Sequence, residues 1–521
     1  MNLRDQTGCC GCPLSRRQFL GGCAAGAAGL MGLRAGAADA PAPVAGGKAK
    51  VRLAFTYVPS TGPIWPNIGY DFEKRKKEIL DKLVPGCPNI EFVPADVLNR
   101  KQAEELLAED KDAGFDGYLV FLLGLWTGAS GLLATTGKPS LFVDDLYGGS
   151  GEFLTQLPGV LRSKKPVEWV SSSRLDDVIA SANCFALLKQ GKTAEDFVAA
   201  AKAARLKNSA PMGDMTSCKE DRVQAIDVAE CLKRLKEKTL LTVGGGWGMP
   251  GIGKAVEAAV GIKVVPVDFK ELDAAYQAAD KDEAAKWADK WMKGAEKIIE
   301  PKPDEIQRSG AMHVAMLDVL KKRNAQGITI NCLGGFYGNH LKAYPCLGFT
   351  ELNDALLVGG CEADIMSATT MMIFSTLVGR PGMISDPVID MSKHQIIYAH
   401  CVGPTKVFGP DGPTNPAHIR SHSEDRKGAV YRSLLPLGYL TTTLEVNCGS
   451  KQILFHQSKS VDNIDEDKAC RTKLAGDLKG DLEKLTTNWG WGWHRVTFYG
   501  DLRPQVEEFA KATGMKIVEE A

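Results

Sequence analysis

VRLAFTYV (51–58), YDFEKRKKEILDKL (70–83) and IEFVP (90–94) set a rhythm of strand, helix and strand that decides the fold. Moving outward, 101–113 reads as a helix, 118–123 as a strand, 130–136 as a short helix and 139–143 as another strand. Alternation of this kind predicts a doubly wound parallel sheet, with ligand contacts on the loops after its strands. Those loops are 59–62, 123–126 and 144–148. None carries a dinucleotide fingerprint, and Asp144 and Asp145 are either sugar contacts or solvated turn acids. A helical stretch over 175–207 closes a first Rossmann-like domain, 49–208.

A second α/β domain is expected over 209–381. It opens with a helix at 221–236 and a strand at 239–243, then GGGWGMPG (244–251) turns into a helix at 252–260. The glycine run has neither the Lys-Ser/Thr of a phosphate loop nor a clean GxGxxG, so a tight strand-to-helix turn is expected. A strand at 264–269, a long amphipathic helix at 271–299, a helix at 304–323 and a strand at 328–332 follow. FYGNH (336–340) is expected as a polar loop that brings Asn339 to a substrate. Beyond residue 382 the character changes. Strands at 395–400, 439–446 and 452–456 alternate with Pro/Gly/Ser turns, predicting a β-rich, barrel-like domain over 382–521.

The chain of 521 residues is too long for one core. Its 63 basic and 63 acidic residues cancel, which gives no bulk field for nucleic acid or an anionic membrane. No apolar window after residue 40 is long enough to span a bilayer. SRRQFL (15–20) is a twin-arginine export motif, followed by a Gly/Ala-rich apolar segment and a cleavage site after Ala37. Residues 1–40 therefore read as a signal peptide, 41–48 as a linker, and the mature chain as exported to the periplasm by the twin-arginine machinery. Cys23 comes too soon after the arginines for a lipid anchor. The later cysteines show no CxxC pair, which argues against a zinc ribbon or a disulfide scaffold.

LNDALLVGGCEADIMSATTMMIFSTLVGRPGMISDPVIDMSKHQIIYAH (352–400) carries two acids in apolar surroundings, Glu362 before a buried helix and Asp386 beyond its end. A helix of about 16 residues spans roughly 24 Å, so the two meet only if the chain doubles back. Carboxylates in apolar surroundings are costly unless paired or metal-bound. Taken singly, each acid reads as a cap. Taken together with His400, they point to a shared metal.

This block, with its LND turn, C-E-x-D helix opening, following Asp and strand ending His-Cys, resembles the metal-binding region of the L-fucose isomerase/L-arabinose isomerase superfamily. The resemblance implies two Rossmann-like domains, a β-rich C-terminal domain and a Mn2+-dependent aldose–ketose isomerase acting on a sugar. It also implies a homo-oligomer, a trimer or hexamer. HIRSHSEDRKGA (418–429) matches a further stretch and brings in His422 as a substrate contact. GWGWHRVTFYG (490–500) matches an element that supplies a metal ligand, often as His-His. Here Arg495 replaces the second His, so either His494 is the ligand or the site is altered.

The implied ligand set is Glu362, Asp386 and His494, with His400 as a fourth that is otherwise a strand-end histidine paired to a carboxylate. Glu362 and Asp386 would also move the proton between C1 and C2 through a cis-enediol. An oxygen-rich set without thiolate favours Mn2+ over Zn2+. Trp493, with Trp491, is either a sugar platform or packing. Two other readings stand beside this one: an exported, non-catalytic sugar- or metal-binding protein on the same scaffold, and a metal-dependent hydrolase.

Overall fold

The structure, a computed structural model, describes residues 47–246 and 250–521. The export motif, the cleavage site and most of the linker lie outside the described residues, as does the centre of the glycine-rich turn.

Five strands form an all-parallel sheet: β1 (Ala49–Thr56), β2 (Ile90–Val97), β3 (Gly117–Leu122), β4 (Ser140–Asp144) and β5 (Val167–Ser171), in the order β2-β1-β3-β4-β5. Leu53 pairs with Leu119 and Leu119 with Leu141 across the centre. β3, β4 and β5 are buried along their whole length, as expected of a parallel sheet covered on both faces. On the Phe72–Gly86 helix, Phe72, Ile79 and Leu83 face inward. Asp71 caps its first turn by accepting from the Lys74 amide.

The 175–207 stretch is three pieces rather than one. Leu175–Ala182 passes into a 3-10 segment, Asn183–Gln190, and Ala194–Asn208 restarts behind a Thr193–Asp196 capping box. Gly191, at φ 74°, makes the break.

The second sheet is also parallel, with β6 (Thr239–Val243), β7 (Lys263–Val267), β9 (Gly327–Ile330) and β10 (Val358–Gly360) in the order β10-β9-β6-β7. Between β7 and β9 lies the two-residue strand β8 (Lys297–Ile298), which joins β13 (Ala417–Arg420) and β14 (Val430–Ser433) in a small separate sheet. The expected long helix is two, Phe269–Gln277 and Lys281–Gly294, because the Asp280 side chain caps a new start on the Glu283 amide. Residues 332–337, expected as the end of a strand and a loop, form the short helix Cys332–Tyr337.

The remaining strands are β11 (Met383–Asp390), β12 (Gln395–His400), β15 (Leu440–Asn447), β16 (Gln452–Asn463), β17 (Thr472–Lys479), β18 (Arg495–Tyr499) and β19 (Lys516–Glu519). They pair in the order β15-β18-β11-β12-β17-β16, and β15 pairs again with β16. The ring is therefore a closed antiparallel barrel, with β19 added in parallel on β16.

The Ile365–Val378 helix joins the second sheet to the barrel. It is apolar on every face and buried at all but one position. Met371, Met372 and Phe374 share one continuous core with Leu240 and Ile328 of the sheet and with Leu444, Val496 and Phe498 of the barrel. A helix with no polar face needs apolar partners all round. That requirement brings the tips of β10, β11 and β18 to its ends.

Candidate metal centre

Glu362 sits in the turn between β10 and the Ile365–Val378 helix. It and Ala363 have φ of 59° and 53°, two successive non-glycine residues in the left-handed region. The turn is tied back by the Ala363 amide, which donates to the Ile330 carbonyl at 2.9 Å. Asp386 lies midway along β11 and pairs with Ala399 of β12, so His400 arrives beside it at the end of that strand. His494 immediately precedes β18, whose Arg495 pairs with Ser385 of β11. Antiparallel pairing thus gathers Asp386, His400 and His494, and the packing of the Ile365–Val378 helix between the second sheet and the barrel brings the Glu362 turn to them.

Glu362, Asp386, His400 and His494 each offer a ligand atom within 4.8 Å of the others. His494 Nε2 lies 3.2 Å from Asp386 Oδ1 and 3.6 Å from Glu362 Oε2. His400 Nε2 lies 4.0 Å from Asp386 Oδ2. Asp386 and both histidines are buried, while the Glu362 side chain keeps 34% exposure and faces a cavity. Burial and the neighbouring Asp386 charge raise the Glu362 carboxyl well above its usual range, although His494 opposes them. Burial works to lower the His494 imidazole, but its bonds to Asp364 and Asp386 outweigh that and hold it well above its usual value. The cluster attracts positive charge.

Asp364 was not among the expected site residues. Its Oδ2 accepts from His494 Nδ1 at 2.9 Å, and its Oδ1 accepts from the Met366 and Ser367 amides to cap the helix. Nδ1 is thereby committed as a donor and Nε2 is turned on the two acids, so that a cation taking the place of the Nε2 proton would meet the nitrogen lone pair there. This is the usual outer support of a metal-bound histidine. His400 is wired the other way. Its Nδ1 accepts from the Cys401 amide at 2.9 Å, which leaves the proton of the neutral ring on Nε2. Burial lowers the His400 pKa, keeping the ring neutral, and Nε2 has no hydrogen-bond partner among the described residues. The donor set of Glu362, Asp386 and His494 fits a divalent cation. His400 instead presents an N–H to the same space.

Arg495 does not enter the cluster. It points to the opposite side, pairs with Glu520 at 2.7 Å and stacks on Trp489 at 3.9 Å.

A cavity of about 400 Å³ opens beside Glu362 and His494, lined also by Trp126, Thr155, Asn331, Leu333 and Trp493. The Trp493 Nε1 donates to the Pro387 carbonyl at 2.9 Å, and its ring meets Trp65 and Trp126 edge-on at 4.8 and 5.8 Å. Trp126, 53% exposed, is a second residue missing from the expected site, although the loop after β3 was legible as a binding position. Asn339 is not brought here. It lies on an exposed turn after the Cys332–Tyr337 helix, where the Lys342 ammonium donates to its Oδ1 at 3.1 Å. The helical turn that replaced the expected loop carries it away, and Asn331 lines the cavity instead.

His422 is buried on another side, with Nδ1 3.1 Å from Asp425 Oδ1 and its ring against Phe336 and Tyr344. Burial opposes its protonation, but Asp425 and nearby negative groups raise it to about 10. Asp144 and Asp145 are internally satisfied. Asp144 accepts from Ser150 and Ser171, and Asp145 pairs with Arg75.

The fold and site define a mixed α/β protein with parallel sheets, a closed antiparallel barrel and a cluster of acids and histidines able to hold a metal ion. No family model matches the chain. It is similar to the sulfoquinovose isomerase of Clostridium sp. (strain MSTE9), 23% identical over 273 residues, covering 49% of this chain and 59% of that protein. The sulfoquinovose isomerase of Alkalicoccus urumqiensis is 28% identical over 145 residues, 27% of this chain and 32% of that protein. That of Priestia aryabhattai is 21% identical over 196 residues, 36% of this chain and 43% of that protein. The chain thus spans less than two thirds of the length of each of these relatives. Among solved structures, the XylFII molecule aligns over 56% of this chain and 85% of its own at 11% identity, with a TM-score of 0.17 too low to define a common fold.

Among the described residues no helix is long and apolar enough to cross a membrane.

Proposed function

We propose that the protein is a metal-dependent aldose–ketose isomerase acting on a sugar, with Mn2+ as the cation. The observation that carries this is the meeting of Glu362, Asp386 and His494 at the floor of a tryptophan-walled cavity. The similarity to sulfoquinovose isomerases supports it and makes sulfoquinovose the first sugar to try.

Glu362, Asp386 and His494 would hold the cation, which when bound supplies a Lewis acid for the oxygens of the open-chain sugar. Glu362 and Asp386 flank the reacting carbons, and one takes the proton from C2 that is returned at C1 through a cis-enediol. His494 is kept in one tautomer and orientation by Asp364. His400, buried and neutral, donates its Nε2 proton to a sugar oxygen on which charge develops. Trp126 and Trp493 cover the apolar face of the sugar and exclude water.

The deciding experiment is an NMR screen of the metal-loaded protein for exchange of the C2 proton in D2O, using sulfoquinovose and unsulfonated pentoses, hexoses and deoxyhexoses. Exchange with at least one aldose is expected, together with the ketose product. Bound Mn2+ without exchange on any of them would overturn the reading in favour of a non-catalytic sugar- or metal-binding protein. Export to the periplasm and assembly as a trimer or hexamer belong to the same proposal. Cell fractionation and light scattering test them.

A further inference from the structure

The sulfur atoms of Cys332 and Cys361 lie 3.2 Å apart, and both residues are buried. Cys332 follows the tip of β9 and Cys361 follows the tip of β10, adjacent parallel strands in which Gly360 faces Thr329. The register continues with Cys361 opposite Ile330, two residues before Cys332, so it is the sulfur–sulfur distance and not the strand spacing that puts the pair within reach of a bond. The sulfurs are only about 1 Å beyond bonding distance.

The neighbours of this pair give it a consequence. Asn331 and Leu333, on either side of Cys332, line the cavity, and so does Glu362, which follows Cys361. Glu362 and Ala363 hold left-handed backbone conformations that cost free energy unless the surroundings enforce them. A covalent tie at Cys361 fixes the first residue of that turn. Cys87, Cys184 and Cys231 are directed elsewhere, donating to the carbonyls of Ile179, Ala180 and Ile373, while Cys401 and Cys470 form a second buried thiol pair on the barrel side.

We propose that Cys332 and Cys361 are a reversible disulfide pair that locks the tips of β9 and β10 and, through them, the Glu362 turn. The oxidant is an external disulfide, either a small molecule such as oxidised glutathione or the disulfide of a thiol oxidase. One protein thiolate attacks a sulfur of that disulfide, forming a mixed disulfide and releasing one thiolate. The second protein thiolate then displaces the other half. The protein pair gives up two electrons and two protons, and the external disulfide leaves as two thiols. The inference does not depend on the isomerase reading.

The test is peptide mapping of the full-length protein equilibrated in oxidised or reduced glutathione, acid-quenched, denatured and alkylated. The oxidised sample is expected to yield one linked peptide joining residues 332 and 361, lighter by two hydrogens than its parts and lost on reduction. Oxidation is also expected to raise the unfolding temperature of the wild type and of Cys87→Ser, but not of Cys332→Ser or Cys361→Ser. Two outcomes overturn the proposal. One is that both thiols remain fully alkylatable in the oxidised sample, or either is linked to a different cysteine. The other is that stoichiometric zinc or copper protects the pair, which would make it a metal site.

Discussion

His494 Nδ1 donates to Asp364 Oδ2 at 2.9 Å, and the same carboxylate caps the helix on which the second sheet and the barrel meet. One residue thus sets both the start of the helix and the orientation of the His494 ring. Asp364→Asn retains the capping geometry, since Asn serves as well as Asp at an N-cap. It removes the charge that orients the imidazole. The expected result is Mn2+ affinity weakened about 10- to 100-fold with little change in unfolding temperature. Asp364→Ala loses the cap as well and is expected to cost about 1 kcal/mol more in stability. Calorimetric metal titration of the two variants checks this, and wild-type affinity in Asp364→Asn would show that the carboxylate serves the helix alone.

The opposite wiring of the two histidines separates their roles. His494→Ala removes a ligand and is expected to abolish retention of the cation. His400→Leu removes the Nε2 donor together with the Nδ1 acceptor of the Cys401 amide but no proposed metal ligand, so the metal content should stay at the wild-type level while turnover falls about 100-fold. His400→Gln, whose amide nitrogen reaches near the position of Nε2, should recover part of that loss. Elemental analysis beside kinetics distinguishes the cases. Loss of metal in His400→Leu would make His400 a fourth ligand.

How much of this was legible in the sequence differs from residue to residue. The Ile365–Val378 helix announced itself because a long, uncharged and largely apolar run, stopped by the turn at Gly379, reads as a buried helix. The approach of Glu362 to Asp386 did not, because it depends on how the helix between them packs against both the second sheet and the barrel, a non-local choice. Arg495 looked like a threat to the site, since sequence identity says nothing of which face of a strand a side chain takes. The breaks at Gly191 and Asp280 were present as helix-stop and helix-start residues, but the helical periodicity on either side outweighed them in the reading. Asn339 was misplaced because a six-residue helix forms where the glycines around 334–338 suggested a loop. Asp364 lay two positions from Glu362 in a visible C-E-x-D pattern, and only the structure shows that it turns toward His494.

Gly151 tests the tryptophan wall. It sits in the first turn of the Ser150–Arg162 helix, and a Cβ there would come within 2.6 Å of the Trp493 ring. Gly151→Ala therefore displaces the indole, an overpacking expected to cost about 1–3 kcal/mol. If Trp493 covers the sugar, KM rises several-fold while kcat changes less, because the metal cluster on the neighbouring strands is undisturbed. Equal falls in kcat and kcat/KM would instead mean that the indole positions His494.

Arg495 and Glu520 give the barrel an acid-sensitive brace. Burial works to raise the Glu520 carboxyl, but the Arg495 guanidinium and His456 outweigh it and hold it at about 2. In the unfolded chain the same carboxyl titrates near about 4.3. The stabilisation is therefore complete above the unfolded value and is lost as the pH falls through the folded one. Its size is on the order of 3 kcal/mol. Urea unfolding of the wild type between about pH 5 and about pH 2 is expected to lose this contribution, on top of what other carboxylates lose. Glu520→Gln leaves Arg495 buried without its counter-charge, so it should be less stable by about 3–5 kcal/mol at neutral pH. It should also show a shallower acid limb than the wild type, since the missing group no longer titrates. Parallel acid limbs for the two proteins would mean that Glu520 carries no such linkage and that Arg495 is held by Trp489 and the backbone instead.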